Sequence, residues 1–162
     1  MQTWWIDRPR VLGGTNPTDA DLKQLRAKRL AAKKPDILVS LLEETEEPPN
    51  YDPKMAQGLG YLRYSIPILD FHAPTIAQLF KFSILMESVS PGSKVLIHCQ
   101  GGIGRTGTMG AAYWIIKGMT PDAAVERVRK ARSGAVETTD QENVLHEFAA
   151  RLQELTRPPQ RL

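Results

Sequence analysis

Residues 94–117 constrain the fold more than any other part of the chain. Lys94-Val95-Leu96-Ile97-His98 reads as a short buried strand, Gln100-Gly101-Gly102-Ile103-Gly104 as a glycine-rich loop, and Thr106 to Lys117 as a helix. In a strand–loop–helix unit of this kind, successive backbone N–H groups converge on one anion, and the helix dipole adds positive potential at the same place. Gly101, Gly102 and Gly104 let the loop curl tightly with no Cβ obstructing the anion. Cys99 stands at the mouth of the cradle. Arg105, at the helix start, can grip two phosphate oxygens with its planar fork. A nucleophile and an anion clamp therefore flank one phosphate, and the candidate phosphate-binding residues are Gln100, Gly101, Gly102, Ile103, Gly104 and Arg105.

The same stretch contains a competing pattern. Gly102-Ile103-Gly104-Arg105-Thr106-Gly107 satisfies the dinucleotide fingerprint G-x-G-x-x-G, also after a strand and before a helix. A ribose-binding acid should then end a second strand about 20 residues on. Asp122 instead begins a helix, the segment comes late in the chain, and a nicotinamide site has no need of Cys99.

Around this unit the chain alternates between strands and helices. Trp4-Trp5-Ile6 and Arg10-Val11-Leu12 read as two short strands before Gly13-Gly14. Thr18 with Asp19 and Asp21 starts a helix that should run to Lys34, where Pro35 stops it. Ile37 to Leu42 is a continuous apolar run, as expected of a buried parallel strand. Glu43 to Pro53 is expected as a loop, Leu62 to Pro67 as an alternating strand, and Ile68 to Pro74 as a second loop. Thr75 caps a helix to about Val89, Thr120-Pro121-Asp122 opens another to about Arg132, and the last starts near Thr139-Asp140 and fades before Pro158. The expected fold is α/β: a single domain over residues 1–162 with a mostly parallel sheet covered by helices on both faces.

Composition narrows the function. One cysteine in 162 residues excludes an intramolecular disulfide and a multi-cysteine zinc site. Hydrophobic content of 41% and charged content of 24% are those of a globular protein. No apolar run approaches the ~20 residues of a membrane span, and the start lacks the regions of a secretory signal, so the cytoplasm is the expected location and no membrane the expectation. Net charge is only +3, and Lys23, Arg26, Lys28, Arg29, Lys33 and Lys34 are spaced as on a solvated helix face. Nucleic-acid binding would show a denser patch with interleaved aromatics, so no nucleic-acid partner is expected. The expected state is a monomer.

His98-Cys99-x-x-Gly102-x-Gly104-Arg105-Thr106-Gly107 resembles the C-x5-R signature of the cysteine-dependent protein phosphatases. The likeness is strongest to compact archaeal-type tyrosine phosphatases and atypical dual-specificity phosphatases, and it extends from about Trp4 to Leu155. It implies a phosphomonoesterase acting on phosphorylated protein substrates without metal or cofactor. Cys99 would attack phosphorus and form a phosphocysteine intermediate. Arg105 would bind phosphate, Thr106 would donate a hydrogen bond to the sulfur, and His98 would sit behind the loop. Asp70, in Ile66-Pro67-Ile68-Leu69-Asp70-Phe71-His72-Ala73-Pro74, would be the general acid, although Leu69 stands where the family usually has proline. His72 is a rival donor by residue type.

The resemblance also implies supporting roles. Gly134 to Gln141 resembles the loop that positions the hydrolytic water; Gln141 matches one of its glutamines, while Glu137 stands in place of the other. Glu43, after the strand Ile37 to Leu42, resembles an acidic position that braces the loop. Two alternatives stay open: a phosphoprotein-binding module without turnover, and a phosphoinositide phosphatase. Phosphoinositide enzymes tend to carry lysines in the loop, where this chain has Gln100, Gly101 and Ile103.

Overall fold

The computed structural model describes residues 1–28 and 36–156. Among these residues five strands form one sheet: β1 (Thr3–Asp7), β2 (Val11–Gly14), β3 (Asp36–Ser40), β4 (Tyr61–Ser65) and β5 (Val95–His98), in the order β1-β2-β5-β3-β4. Only the β1–β2 pair is antiparallel; β2–β5, β3–β5 and β3–β4 are parallel. The described residues form six helices, α1 (Asp19–Ala27), α2 (Pro53–Gly58), α3 (Ile76–Ser88), α4 (Gly104–Ile116), α5 (Pro121–Ala131) and α6 (Thr139–Thr156). The expected mostly parallel α/β sheet is the architecture observed.

Strand side chains alternate between two cores, as the period of two requires. Val11, Ile37, Val39, Val95 and Ile97 pack against residues of α3 to α6. Leu38, Leu96 and Tyr61 face the other way and meet Leu22 of α1 and Ala56 of α2. Thr75 and Gln78 form a reciprocal capping box at α3, and Thr18 and Asp21 do the same at α1. Thr120 caps α5, whose first residue is Pro121.

Several boundaries differ from expectation. Gly13 and Gly14 belong to β2, pairing with Trp4 and Thr3 of β1 and with Ile97 and His98 of β5; the Trp4 ring lies 2.6 Å from where a Cβ on Gly13 would stand. The loop expected over Glu43 to Pro53 ends in α2, which Asp52 caps with Pro53 at its first position. Arg26 leaves the expected solvated face of α1 and pairs with Asp36 at 3.1 Å. The expected continuation of α1 to Lys34, with Arg29, Lys33 and the stop at Pro35, lies outside the described residues.

The carboxyl ends of β2, β5 and β3 lie side by side, which is where an open α/β sheet presents its ligand site. Cys99 follows β5, the central strand of the five. Helix α4 runs back through the core, with every residue from Gly104 to Ile115 buried. Gly107 permits this approach: a Cβ there would lie 2.8 Å from Ala135 and from the Val136 backbone.

Candidate active site

Helix α4 begins two residues earlier than expected, at Gly104, with no side-chain cap. Its first N–H groups therefore remain available to an anion. The turn from β5 into α4 needs glycine at Gly102, whose φ is +65° and whose Cβ would lie 2.7 Å from the Gly14 backbone.

Cys99 is buried, 2% exposed. Its Sγ accepts hydrogen bonds from the Gly102 N–H at 3.2 Å and the Thr106 hydroxyl at 3.1 Å. Donors thus flank the sulfur on both sides. The sulfur lies in a cavity of about 220 Å³, walled by Cys99, Gln100, Gly101, Ile103, Gly104 and Arg105 of the loop and by Asp70, Phe71 and Glu137.

Arg105 is also 2% exposed. Its Nη1 donates to Glu47 Oε2 at 2.6 Å and to the Ile68 carbonyl at 2.9 Å, while Nη2 reaches Glu47 Oε1 at 3.3 Å and Asp70 Oδ1 at 2.9 Å. Burial alone would weaken its charge, but Glu47, Cys99 and Asp70 together push its pKa above the ordinary arginine value. A buried guanidinium is costly unless it is paired in this way. Two segments distant in sequence, the Glu47 turn and the loop holding Ile68 and Asp70, thus fix one guanidinium beside the thiol.

Glu47, rather than Glu43, braces the arginine. Glu43 is spent on a local turn, accepting from Thr45 Oγ1 at 2.8 Å, while its carbonyl receives the N–H groups of Glu46 and Glu47. That turn folds Glu47 back onto Arg105. Sequence reasoning could see four glutamates before Pro48, but the turn decides which one reaches the cation.

Asp70 lies half exposed on its loop, and its Oδ1 also accepts from the Phe71 N–H at 3.0 Å. Phe71 follows with φ +58° and is 64% exposed at the cavity mouth. His72 is exposed; its Nδ1 pairs with the Asp70 carbonyl at 2.8 Å, outside the cavity wall. The Glu137 carboxylate lies directly over Gly104. Gln141 is fully buried: its Oε1 accepts from the Glu137 N–H at 2.8 Å and its Nε2 donates to the His72 carbonyl at 3.2 Å. It clasps the Asp70 loop to the Glu137 loop, which leaves it one amide hydrogen near Gly104.

His98 lies behind the loop, fully buried, with Nε2 3.1 Å from the Tyr51 hydroxyl. Tyr51 accepts from Arg63 Nε at 2.8 Å, and Arg63 pairs with Glu44. Burial, then the positive charges of Arg63 and Arg105, drive the imidazole down to about 3, so it is neutral at physiological pH. Tyr51, Arg63 and Glu44 carry no motif by which sequence reasoning could have singled them out.

Residues 10–119 match the family described as polymorphic toxin system, DSP-PTPase phosphatase. Human cyclin-dependent kinase inhibitor 3 is 34% identical over 100 residues, covering 59% of this chain and 47% of the human protein. A probable protein tyrosine phosphatase type IVA A of Dictyostelium discoideum is 34% identical over 91 residues, 54% of this chain and 55% of that protein. The chain thus spans about half the length of these curated relatives. The crystal structure of Tk-PTP in the active form is 36% identical, covers 92% of this chain and 97% of its own, and superposes with a TM-score of 0.80. PTPMT1 in complex with PI(5)P is 25% identical, with coverages of 94% and 97% and a TM-score of 0.81. The signature loop, the sheet order and these likenesses agree: the chain belongs to the compact, cysteine-based dual-specificity phosphatase family.

Proposed function

We propose that this chain hydrolyses phosphate monoesters on proteins, phosphotyrosine foremost and phosphoserine or phosphothreonine as further substrates. The observation that carries the reading is the Cys99 sulfur, flanked by two donors in the same cavity wall as the buried fork of Arg105. The thiolate attacks phosphorus; an S–P bond forms as the ester O–P bond breaks, and Asp70 gives its proton to the departing oxygen. Arg105 and the loop N–H groups hold the equatorial oxygens. Phosphate takes the place of Asp70 at Nη2 while Glu47 keeps its hold, which frees Asp70 for the leaving group. Water then attacks the phosphocysteine, Asp70 takes the water's proton, and Thr106 receives the sulfur as it departs. Glu137 over Gly104 and the spare amide hydrogen of Gln141 serve to place that water. A reducing compartment such as the cytoplasm suits a mechanism resting on one unpaired thiol.

A phosphoinositide phosphatase is the second reading, favoured by the likeness to PTPMT1, which was solved with PI(5)P. Against it, the loop supplies no lysine and the cavity rim carries the carboxylates of Asp70 and Glu137, which repel a polyanionic head group. The test is turnover of a phosphotyrosine peptide, of PI(5)P and of p-nitrophenyl phosphate with a chelator present, for wild type and Cys99→Ser. The reading expects the peptide to be preferred and Cys99→Ser to be inactive while still binding vanadate. Retention of more than a few per cent of the rate by Cys99→Ser refutes the mechanism. Preference for PI(5)P refutes the protein-substrate assignment, and anion binding with no turnover by wild type makes the chain a binding module.

A further inference from the structure

The phosphate loop must keep its N–H groups turned inward, and its own sequence does little to ensure this. Gly101 has open space where a Cβ would stand, and Gly102 sits at φ +65°. A Gly-Gly pair offers little side-chain resistance to rotation of a peptide plane. A rotated peptide would present a carbonyl oxygen to the phosphate instead of an N–H. Within the loop, Cys99 Sγ holds the Gly102 N–H; the peptides that carry the Gly101 and Ile103 N–H groups need restraint from outside.

It comes from the first two strands. The Trp4 indole Nε1–H, on edge strand β1, donates to the Gly102 carbonyl at 3.0 Å. The Asn16 backbone N–H, just past β2, donates to the Gln100 carbonyl at 3.1 Å. In a trans peptide the C=O of one residue and the N–H of the next point in opposite directions. Holding the Gly102 and Gln100 carbonyls outward therefore turns the Ile103 and Gly101 N–H groups toward the cavity that both residues line. Asn16 reinforces the hold. Its Nδ2 donates to Gln100 Oε1 at 3.0 Å and to the Pro48 carbonyl at 3.3 Å, and its Oδ1 accepts from the Asn50 N–H at 3.1 Å. Trp4 is fixed in turn by lying flat against Gly13, where no Cβ intervenes.

We propose that Trp4 is a positioning residue of the phosphate loop: its indole N–H, together with the Asn16 N–H, holds two loop carbonyls outward and so keeps two loop N–H groups on the anion. The proposal rests on the phosphatase reading above. Trp4→Phe keeps the ring against Gly13 and removes only the donor. Trp5→Phe is the control, since Trp5 instead faces the Arg8 and Lys94 cations.

The probe is tungstate, as a competitive inhibitor of p-nitrophenyl phosphate turnover. Losing one neutral hydrogen bond at the loop should weaken tungstate by about 3- to 10-fold in Trp4→Phe, with a matching fall in kcat/KM. Trp5→Phe should leave both unchanged. Unchanged tungstate affinity in Trp4→Phe, or an equal loss in Trp5→Phe, overturns the proposal; a role in packing alone would lower the melting temperature without moving the inhibition constant. A second measurement needs only the wild type: hydrogen exchange of the Trp4 indole N–H, followed by NMR, should slow at saturating tungstate because the anion favours the outward carbonyl. Exchange indifferent to tungstate also overturns it. A wild type that neither binds tungstate nor turns over p-nitrophenyl phosphate refutes the phosphatase reading itself, a result distinct from an active enzyme indifferent to Trp4.

Discussion

His98 should make the fold acid-sensitive in a way that one substitution removes. The imidazole is fully buried and held down to about 3, against about 6.5 in an unfolded chain. Because the folded value is the lower one, the unfolded chain takes up the proton first on acidification. The contribution to stability is complete above about pH 7 and is lost as pH falls from about 6.5 toward 3. At about 1.4 kcal/mol per pH unit, the loss between pH 8 and pH 5 is about 2 kcal/mol. Asp21, held down to about 2 chiefly by its hydrogen bond to the N-terminal ammonium, loses its contribution only as pH falls from about 4 toward 2, below the pH 8 to pH 5 interval. Urea unfolding at pH 8 and pH 5 measures the loss directly, and His98→Gln provides the reference, because glutamine keeps a polar group toward Tyr51 without titrating. The variant should start less stable, yet lose about 2 kcal/mol less than wild type over this interval. Equal losses for both proteins would refute the argument that His98 is buried as a neutral imidazole.

Three further outcomes probe the site. Arg105→Lys keeps the charge but not the fork shared by Glu47 and the Ile68 carbonyl, so kcat/KM should fall by roughly 10²–10³-fold; near-normal kinetics would remove Arg105 from the reacting phosphate. Glu47→Gln leaves the guanidinium without its two-oxygen partner and should weaken both tungstate binding and kcat/KM by roughly 10- to 100-fold, whereas Glu43→Gln should change neither. Asp70→Asn should slow phosphotyrosine peptides by roughly 10²–10⁴-fold, and less for an aryl phosphate whose leaving group needs no proton. Equal losses for good and poor leaving groups would make another group the acid, Glu137 first.

The chemistry of the loop is legible in the sequence because it is local. A strand, a glycine-rich turn and a helix start lie within 24 consecutive residues, so Cys99, Arg105 and Thr106 come together through backbone geometry alone. The capped helices at Thr18, Thr75 and Thr120 were legible for the same reason, since a cap and its helix are adjacent in sequence. Helix α2 was obscured by the prolines before it, although Asp52-Pro53 is a local start signal. What sequence could not determine is what surrounds the loop. Glu47 reaches Arg105 across 58 positions, Tyr51 reaches His98 across 47, and Trp4 reaches Gly102 across 98. Such pairings depend on strand order and on which of several similar residues a turn presents. The four glutamates after Leu42 show the difference: any of them could neutralise a buried arginine by chemistry alone. Their charge is written in the sequence, but the turn at Glu43 and the position of β5 between β2 and β3 decide that Glu47 holds Arg105 while Glu44 holds Arg63.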